Sequence, residues 1–255
     1  MAIHLLPSQL IDQIAAGEIV ERPASAVKEL IENSLDAGAK RIEIEIQAGG
    51  TQLIRVRDDG VGIAHEDLRL ALSRHATSKI ASLKDLESVS TLGFRGEALP
   101  SIASVAQLKL TSHARGEESG WSVEADGSMV SDPRPAAHPV GTTIEVRDLF
   151  FNTPARRKFL KTERTEYSHV DAALRSLALG RFDVEWHLKH NQRPMLSLPA
   201  ALDRERQEAR LARICGETFL EHARYLEREI EGLRLSGWLA DPAFSRSQPD
   251  MQHTF

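Results

Sequence analysis

Residues 41–47 alternate without a break, with Ile42, Ile44 and Ile46 on one parity and Glu43 and Glu45 on the other. Side chains of an extended chain point to opposite faces in turn, so this run specifies a strand with one face buried and the other in water. Gly49-Gly50 supplies a turn and residues 52–57 return as a second strand. Two registers are open to that strand: Leu53 joins the apolar face, or Ile54 and Val56 do, but not both. Just upstream, Pro23 and Ser25 suit a helix entry, and Val27, Leu30, Ile31 and Leu35 recur at helical spacing. Gly38 stands where such a helix stops.

The same reading extends along the chain. Helical patterns are predicted over 10–16, 65–72, 98–106, 154–160 and 165–179, and strands over 108–111, 121–125, 142–146 and 182–188. Residues 73–90 read as a polar loop that orders around a ligand, and 131–135 as a surface loop. Helices behind a mostly antiparallel sheet make a two-layer α+β domain over residues 1–200. Near Ala200 the composition shifts to a charged helical stretch from Asp203 to Leu220. Residues 201–255 are therefore expected to be the N-terminal part of a truncated second domain.

Composition narrows the function. A formal net charge of -5 gives no overall pull toward nucleic acid or anionic lipid, so any DNA contact must come from a local basic patch. The one cysteine, Cys215, cannot form an internal disulfide and fits a reducing cytoplasm. No apolar run approaches the roughly 20 residues of a membrane span, and no membrane partner is expected.

Three motifs carry chemistry. Glu29 and Asn33 stand four residues apart on the first helix and so share a face. An ionised Glu can take a proton from an attacking water, and an Asn carbonyl oxygen suits Mg²⁺, which draws its other ligands from phosphates and water. Asp58 closes a strand just before Gly60 and Gly62. A carboxylate there accepts the exocyclic amine of adenine and repels the carbonyl of guanine, although an ordinary Asp-Gly turn uses the same residues. Gly93-Phe94-Arg95-Gly96-Glu97-Ala98-Leu99 places glycines and a cation ahead of a helix, an arrangement that cradles phosphate. The earlier run Arg74-His75-Ala76-Thr77-Ser78-Lys79 adds hydroxyls and positive charge. A threonine hydroxyl in Gly141-Thr142-Thr143, with Thr143 as the candidate, can fix a water beside Asp58. Arg156, Arg157, Lys158, Lys161 and Arg164 form a local basic patch that either meets DNA phosphates or simply faces solvent.

The order of these blocks resembles the GHKL ATPase superfamily and, more closely, the MutL family of DNA mismatch repair proteins. The likeness rests on residues 13–23, 28–37, 74–79, 93–99 and 151–160, and it runs along essentially the whole chain. It implies a two-layer α/β sandwich of the GHKL (Bergerat) type, followed by the start of a ribosomal S5 domain 2-like fold. It implies ATP and Mg²⁺ as cofactors, with Glu29 activating water, Asn33 holding the metal and Asp58 reading adenine. Gly60 and Gly62 would line the base pocket. Thr77, Ser78 and Lys79, with Gly93, Phe94, Arg95, Gly96, Glu97, Ala98 and Leu99, would wrap the phosphates. Implied partners are DNA bound weakly through basic patches, a MutS-like mismatch recognition protein, a downstream endonuclease or helicase, and a second copy joined through ATP-dependent N-terminal dimerisation. The family's second domain supplies a lysine to the γ-phosphate, and residues 203–255 contain none, so slow turnover is expected. The alternative is a non-catalytic DNA- or partner-binding fragment.

Overall fold

A computed structural model describes residues 16–17, 19–77, 96–127, 129–241 and 253. The helix predicted over 10–16 falls almost wholly outside them, as does most of the loop over 73–90. Helix α1 (Pro23–Asp36) begins with proline in its first turn, where the missing N–H is unneeded. It ends as Ala37 N–H donates to the Asn33 carbonyl and Gly38 N–H to that of Leu35. Its buried stripe includes Val27, Leu30, Ile31 and Leu35.

The chain then enters β1 (Arg41–Gln47) and β2 (Leu53–Asp58), antiparallel, with Ile42 opposite Asp58 and Ile46 opposite Ile54. Ile54 and Val56 join the main core with the β1 isoleucines, while Leu53 is buried apart from that cluster. After helix α2 (Ala98–Val105) follow β3 (Gln107–His113), β4 (Gly120–Asp126), β5 (Met129–Val130), β6 (Arg134–Ala136) and β7 (Gly141–Arg147). Helices α3 (Pro154–Arg157) and α4 (Glu163–Gly180) lead to β8 (Glu185–His190) and β9 (Arg193–Leu198). The sheet runs β5-β4-β3-β7-β2-β1-β8-β9, with β6 on β4. Every pairing is antiparallel except β1 with β8, which α4 separates along the chain.

Helices α1, α2 and α4 cover one face, and Leu30, Ile31, Ile102, Val170 and Leu174 pack with Ile44, Leu110, Ile144 and Trp186 in a single core. The opposite face is charged: Arg55 pairs with Glu45 at 2.7 Å and with Glu145 at 3.1 Å across β1, β2 and β7. This is the two-layer arrangement the alternation demands, one face packed and one solvated.

Some elements differ from the sequence expectation. Residues 65–72 form two short 3-10 turns, His65–Asp67 and Leu70–Leu72, rather than one helix. The helix after Pro154 lasts four residues. The loop over 131–135 contributes to β6, and β9 had no strong alternation to announce it. The charged stretch after Asp203 is two helices, α5 (Arg204–Cys215) and α6 (Glu217–His222), broken at Gly216 with φ 93°. A hairpin, β10 (Ala223–Ile230) and β11 (Leu233–Ala240), then turns at Glu231-Gly232, both at positive φ.

Arg210 of α5 ties this last part to the main sheet. It is 3% exposed and donates to the carbonyls of Ala178 and Arg181 at 3.0 Å, of Val184 at 2.8 Å and of Pro199. Those oxygens belong to the end of α4 and the flanks of β8 and β9, so one guanidinium closes three chain ends. Burial lowers its pKa to about 10, which leaves it charged at neutral pH. Arg210→Met removes these bonds, although the Arg181 carbonyl keeps the Val184 N–H at 3.4 Å. It should cost about 3 kcal/mol or more in urea unfolding, since bonds to a charged donor contribute roughly 1.5–3 kcal/mol each. A loss under about 1 kcal/mol would contradict the latch.

Candidate functional site

The site is built outward from Asp58, the last residue of β2 and only 8% exposed. Its parity places it with Ile54 and Val56 on the helix-covered face. There Ser34 of α1 donates to Oδ2 at 2.9 Å, and the Gly60 N–H donates to Oδ1 at 2.9 Å. Burial raises the Asp58 pKa above the usual carboxylate range, and the opposing donors, Gly60 N–H, the Ser34 hydroxyl and the Thr142 backbone, offset this only in part. Asp59 faces the other way and caps the start of β1, accepting from the backbone N–H groups of Lys40 at 2.7 Å and Arg41 at 2.8 Å.

Glu29 and Asn33 sit on α1 one turn apart, both half-buried. Asn33 immediately precedes Ser34, so the helix residue that holds Asp58 also fixes where the Glu29–Asn33 stripe begins. The loop after Asp58 is pinned on both sides. Val61 N–H donates to the Ala37 carbonyl at the end of α1, and Arg115 N–H to the Val61 carbonyl. Gly62 has φ 76°, and a Cβ there would lie 2.2 Å from the His113 carbonyl oxygen, so only glycine fits this crossing of the end of β3.

Three neighbouring strands end in a polar row on this face. Asp58 of β2 is opposite Thr142 of β7, which is opposite Ser112 of β3. Thr143, the expected threonine, is not brought to the site. It pairs with Arg57 and Thr111 on the other face, and its hydroxyl lies 2.7 Å from His138 Nε2. The reason is the two-residue period of a strand: Thr142 shares the parity of buried Ile144 and Val146, and Thr143 that of Glu145. The face that carries Asp58 therefore holds Thr142 and not Thr143. The signal was available in that parity. Ser34 and Ser112 were missed because a buried serine looks like any other serine in sequence.

Of the two phosphate-loop motifs, Ser78, Lys79, Gly93, Phe94 and Arg95 lie outside the described residues. The bases of both motifs meet. Gly96 packs on the first motif so closely that a Cβ would stand 2.5 Å from the Ala76 carbonyl oxygen. Glu97 accepts from the His75 backbone N–H at 3.1 Å, pairs with His75 Nδ1 at 2.8 Å, and lies 4.0 Å from Arg74. Its carboxylate therefore clasps the two loops. Thr77 is exposed beside this clasp, while Ala98 and Leu99 open α2.

In the basic patch, Arg157, Lys158, Lys161 and Arg164 are exposed, with Phe159 80% exposed among them. Arg156 instead reaches Gly17, where an added Cβ would collide with its guanidinium. A shallow depression lined by Arg22, Lys161, Thr162, Thr165 and His169 adjoins the patch.

Comparison with known proteins agrees with this fold. Residues 21–137 match the family model described as histidine kinase-, DNA gyrase B- and HSP90-like ATPase. The DNA mismatch repair protein MutL of Pseudomonas fluorescens (strain SBW25) is 59% identical over 99% of this chain, which spans 40% of that protein's length. A solved Aquifex aeolicus MutL ATPase domain complexed with ADP is 35% identical, covers 90% of this chain and 79% of its own, and superposes with a TM-score of 0.68. The N-terminal domain of a DNA repair protein, 24% identical with a TM-score of 0.78 over 97% of this chain and 78% of that one, shares the fold. The chain belongs to the MutL family of DNA mismatch repair proteins and has the GHKL fold of its ATPase domain.

Proposed function

We propose that this chain binds ATP with its base against Asp58 and its triphosphate along the Glu29–Asn33 stripe of α1, and that the whole protein hydrolyses it during mismatch repair. The observation that carries this reading is the buried Asp58 carboxylate, fixed by Ser34 and Gly60 at the open end of the sheet. An acceptor kept out of water gains from a ligand donor, and the exocyclic amine of adenine is one. A relative's ATPase domain was solved complexed with ADP, which supports nucleotide binding.

In this reading Glu29 takes the proton of the attacking water and Asn33 offers its side-chain oxygen to Mg²⁺. The donor set suits that ion, since a neutral oxygen on a rigid helix leaves room for phosphate and water ligands. When bound, the ion neutralises phosphate charge. The N-terminus of α2, with Gly96 at its base, faces the phosphates, and Glu97 holds the loop carrying Thr77 to it. Lys79 and Arg95 would add positive charge. ATP-driven ordering of the two loops, dimerisation, and contacts with a mismatch recognition protein and downstream enzymes belong to the same proposal for the whole protein. The exposed Arg157, Lys158 and Lys161 favour a second role alongside the first, weak DNA binding, whose salt dependence would reveal the phosphate contacts.

Magnesium and ATP should raise the melting temperature of this chain, by an amount corresponding to about 2.7 kcal/mol at a hundredfold excess over Kd. Asp58→Ala should abolish the shift, and an unchanged shift would remove Asp58 from the site. The pH dependence has a definite sign. The amine bonds an ionised acceptor more strongly than a neutral one, so ATP affinity should fall as pH drops through the raised pKa of Asp58, which calorimetry across the acid range would show. Without ligand the sign reverses: the raised folded pKa gives wild type, relative to Asp58→Asn, stability that is present in acid and lost as pH rises through that pKa. In the whole protein, Glu29→Ala should retain ATP binding while lowering kcat by about 10²–10⁴; preserved turnover would end its role as the base.

A further inference from the structure

Ser112 is 1% exposed and lies behind the polar row, one strand removed from Asp58. Its hydroxyl oxygen has three polar neighbours: Ile63 N–H at 2.8 Å, the Gly141 carbonyl at 3.0 Å and the Thr142 hydroxyl at 2.9 Å. A serine hydroxyl has one proton and two lone pairs. Ile63 N–H can only donate, and the Gly141 carbonyl can only accept. The Ser112 proton therefore goes to Gly141, one lone pair takes Ile63 N–H, and the other is left for the Thr142 proton. The opposite choice, Ser112 donating to Thr142, would set two lone-pair-bearing oxygens 3.0 Å apart without a proton in a buried place.

We propose that Ser112 is a specificity-determining positioning residue. By accepting the Thr142 hydroxyl proton it leaves Thr142 only lone pairs to offer the nucleotide. Thr142 and Asp58 stand opposite each other on one face, so both side chains at the end of the sheet then present acceptors alone. A base bearing an amine at that edge, met directly or through a water, satisfies them. A base bearing a carbonyl meets two acceptors and is rejected. The same hydroxyl, through Ile63 N–H, holds the end of the Gly60-Val61-Gly62 loop against β3, so polarity and loop position are set by one atom. Ser112 itself touches no part of the nucleotide. The inference rests on the proposed placement of the base against Asp58.

The test is the ratio of ATP to GTP affinity, measured by calorimetry on this chain. Ser112→Ala should free the Thr142 hydroxyl to donate and reduce the ratio by about tenfold or more, chiefly by improving GTP binding. Ser112→Thr, which keeps the hydroxyl, should restore it. Thr142→Val should reduce the ratio by itself, and adding Ser112→Ala to it should change the ratio no further. A packing role for Ser112 would instead weaken both nucleotides alike and persist in the Thr142→Val background; that result overturns the inference. Should Ser112→Ala not fold, Ser112→Cys preserves volume with a weaker hydrogen-bonding group, and an unchanged ratio there overturns it equally. If wild type prefers ATP through Asp58 but Ser112→Ala leaves the ratio intact, only the Ser112 assignment fails. A wild type with no preference overturns both readings.

Discussion

A hydrogen bond between Ser34 on a helix and Asp58 on a strand joins the two layers of this protein at the point where its chemistry is proposed to occur. That contact ties α1 to the end of β2. Together with the buried stripe of Val27, Leu30, Ile31 and Leu35 it sets the rotation of α1, which leaves Glu29 and Asn33 half-buried. It also keeps a carboxylate in a place where burial works against its charge. A hydrophobic core would tolerate many residues at position 58 better than an aspartate. A buried carboxylate with a raised pKa, held by Ser34 and Gly60, is the kind of group that marks a functional-site candidate.

The row Asp58, Thr142 and Ser112 rests on three paired strands, which hold side chains more closely than loops do. Among the described residues, the loops proposed to meet the phosphates are joined at their bases, through Glu97 with His75 and the approach of Gly96 to Ala76. A base held by a fixed sheet and a triphosphate met by loops would let nucleotide alter the loops without disturbing recognition. At the far end, Arg210 binds α5 to the ends of α4, β8 and β9, so the segment after β9 does not hang free of the main sheet.

Much of this was legible in the sequence. The isoleucine-glutamate alternation in β1 fixed that strand and its buried face, because a half-solvated strand leaves an unmistakable period. The Glu29–Asn33 spacing on α1 and the glycines around Asp58 were likewise readable. The failures share a cause. Thr142 and Thr143 are chemically equal, and only strand parity, carried from Ile144, separates them. Residues 65–72 have helical composition, yet they connect the Gly62 turn to the loop region and settle into two short turns. Strand β9, exposed over most of its length and without polar-apolar alternation at its start, gains its conformation from pairing with β8 rather than from its own pattern. Ser34, Ser112 and Arg210 act through tertiary contacts with residues 24, 29 and 32 positions distant, which no local window contains.

The most direct measurement is a crystal structure of this chain with Mg²⁺ and a non-hydrolysable ATP analogue. The account predicts the adenine amine within hydrogen-bond reach of Asp58, directly or through one water beside Thr142, with the γ-phosphate alongside Glu29 and the metal on Asn33. A purine bound away from the ends of β2 and β7, or a triphosphate that never meets α1, would contradict it.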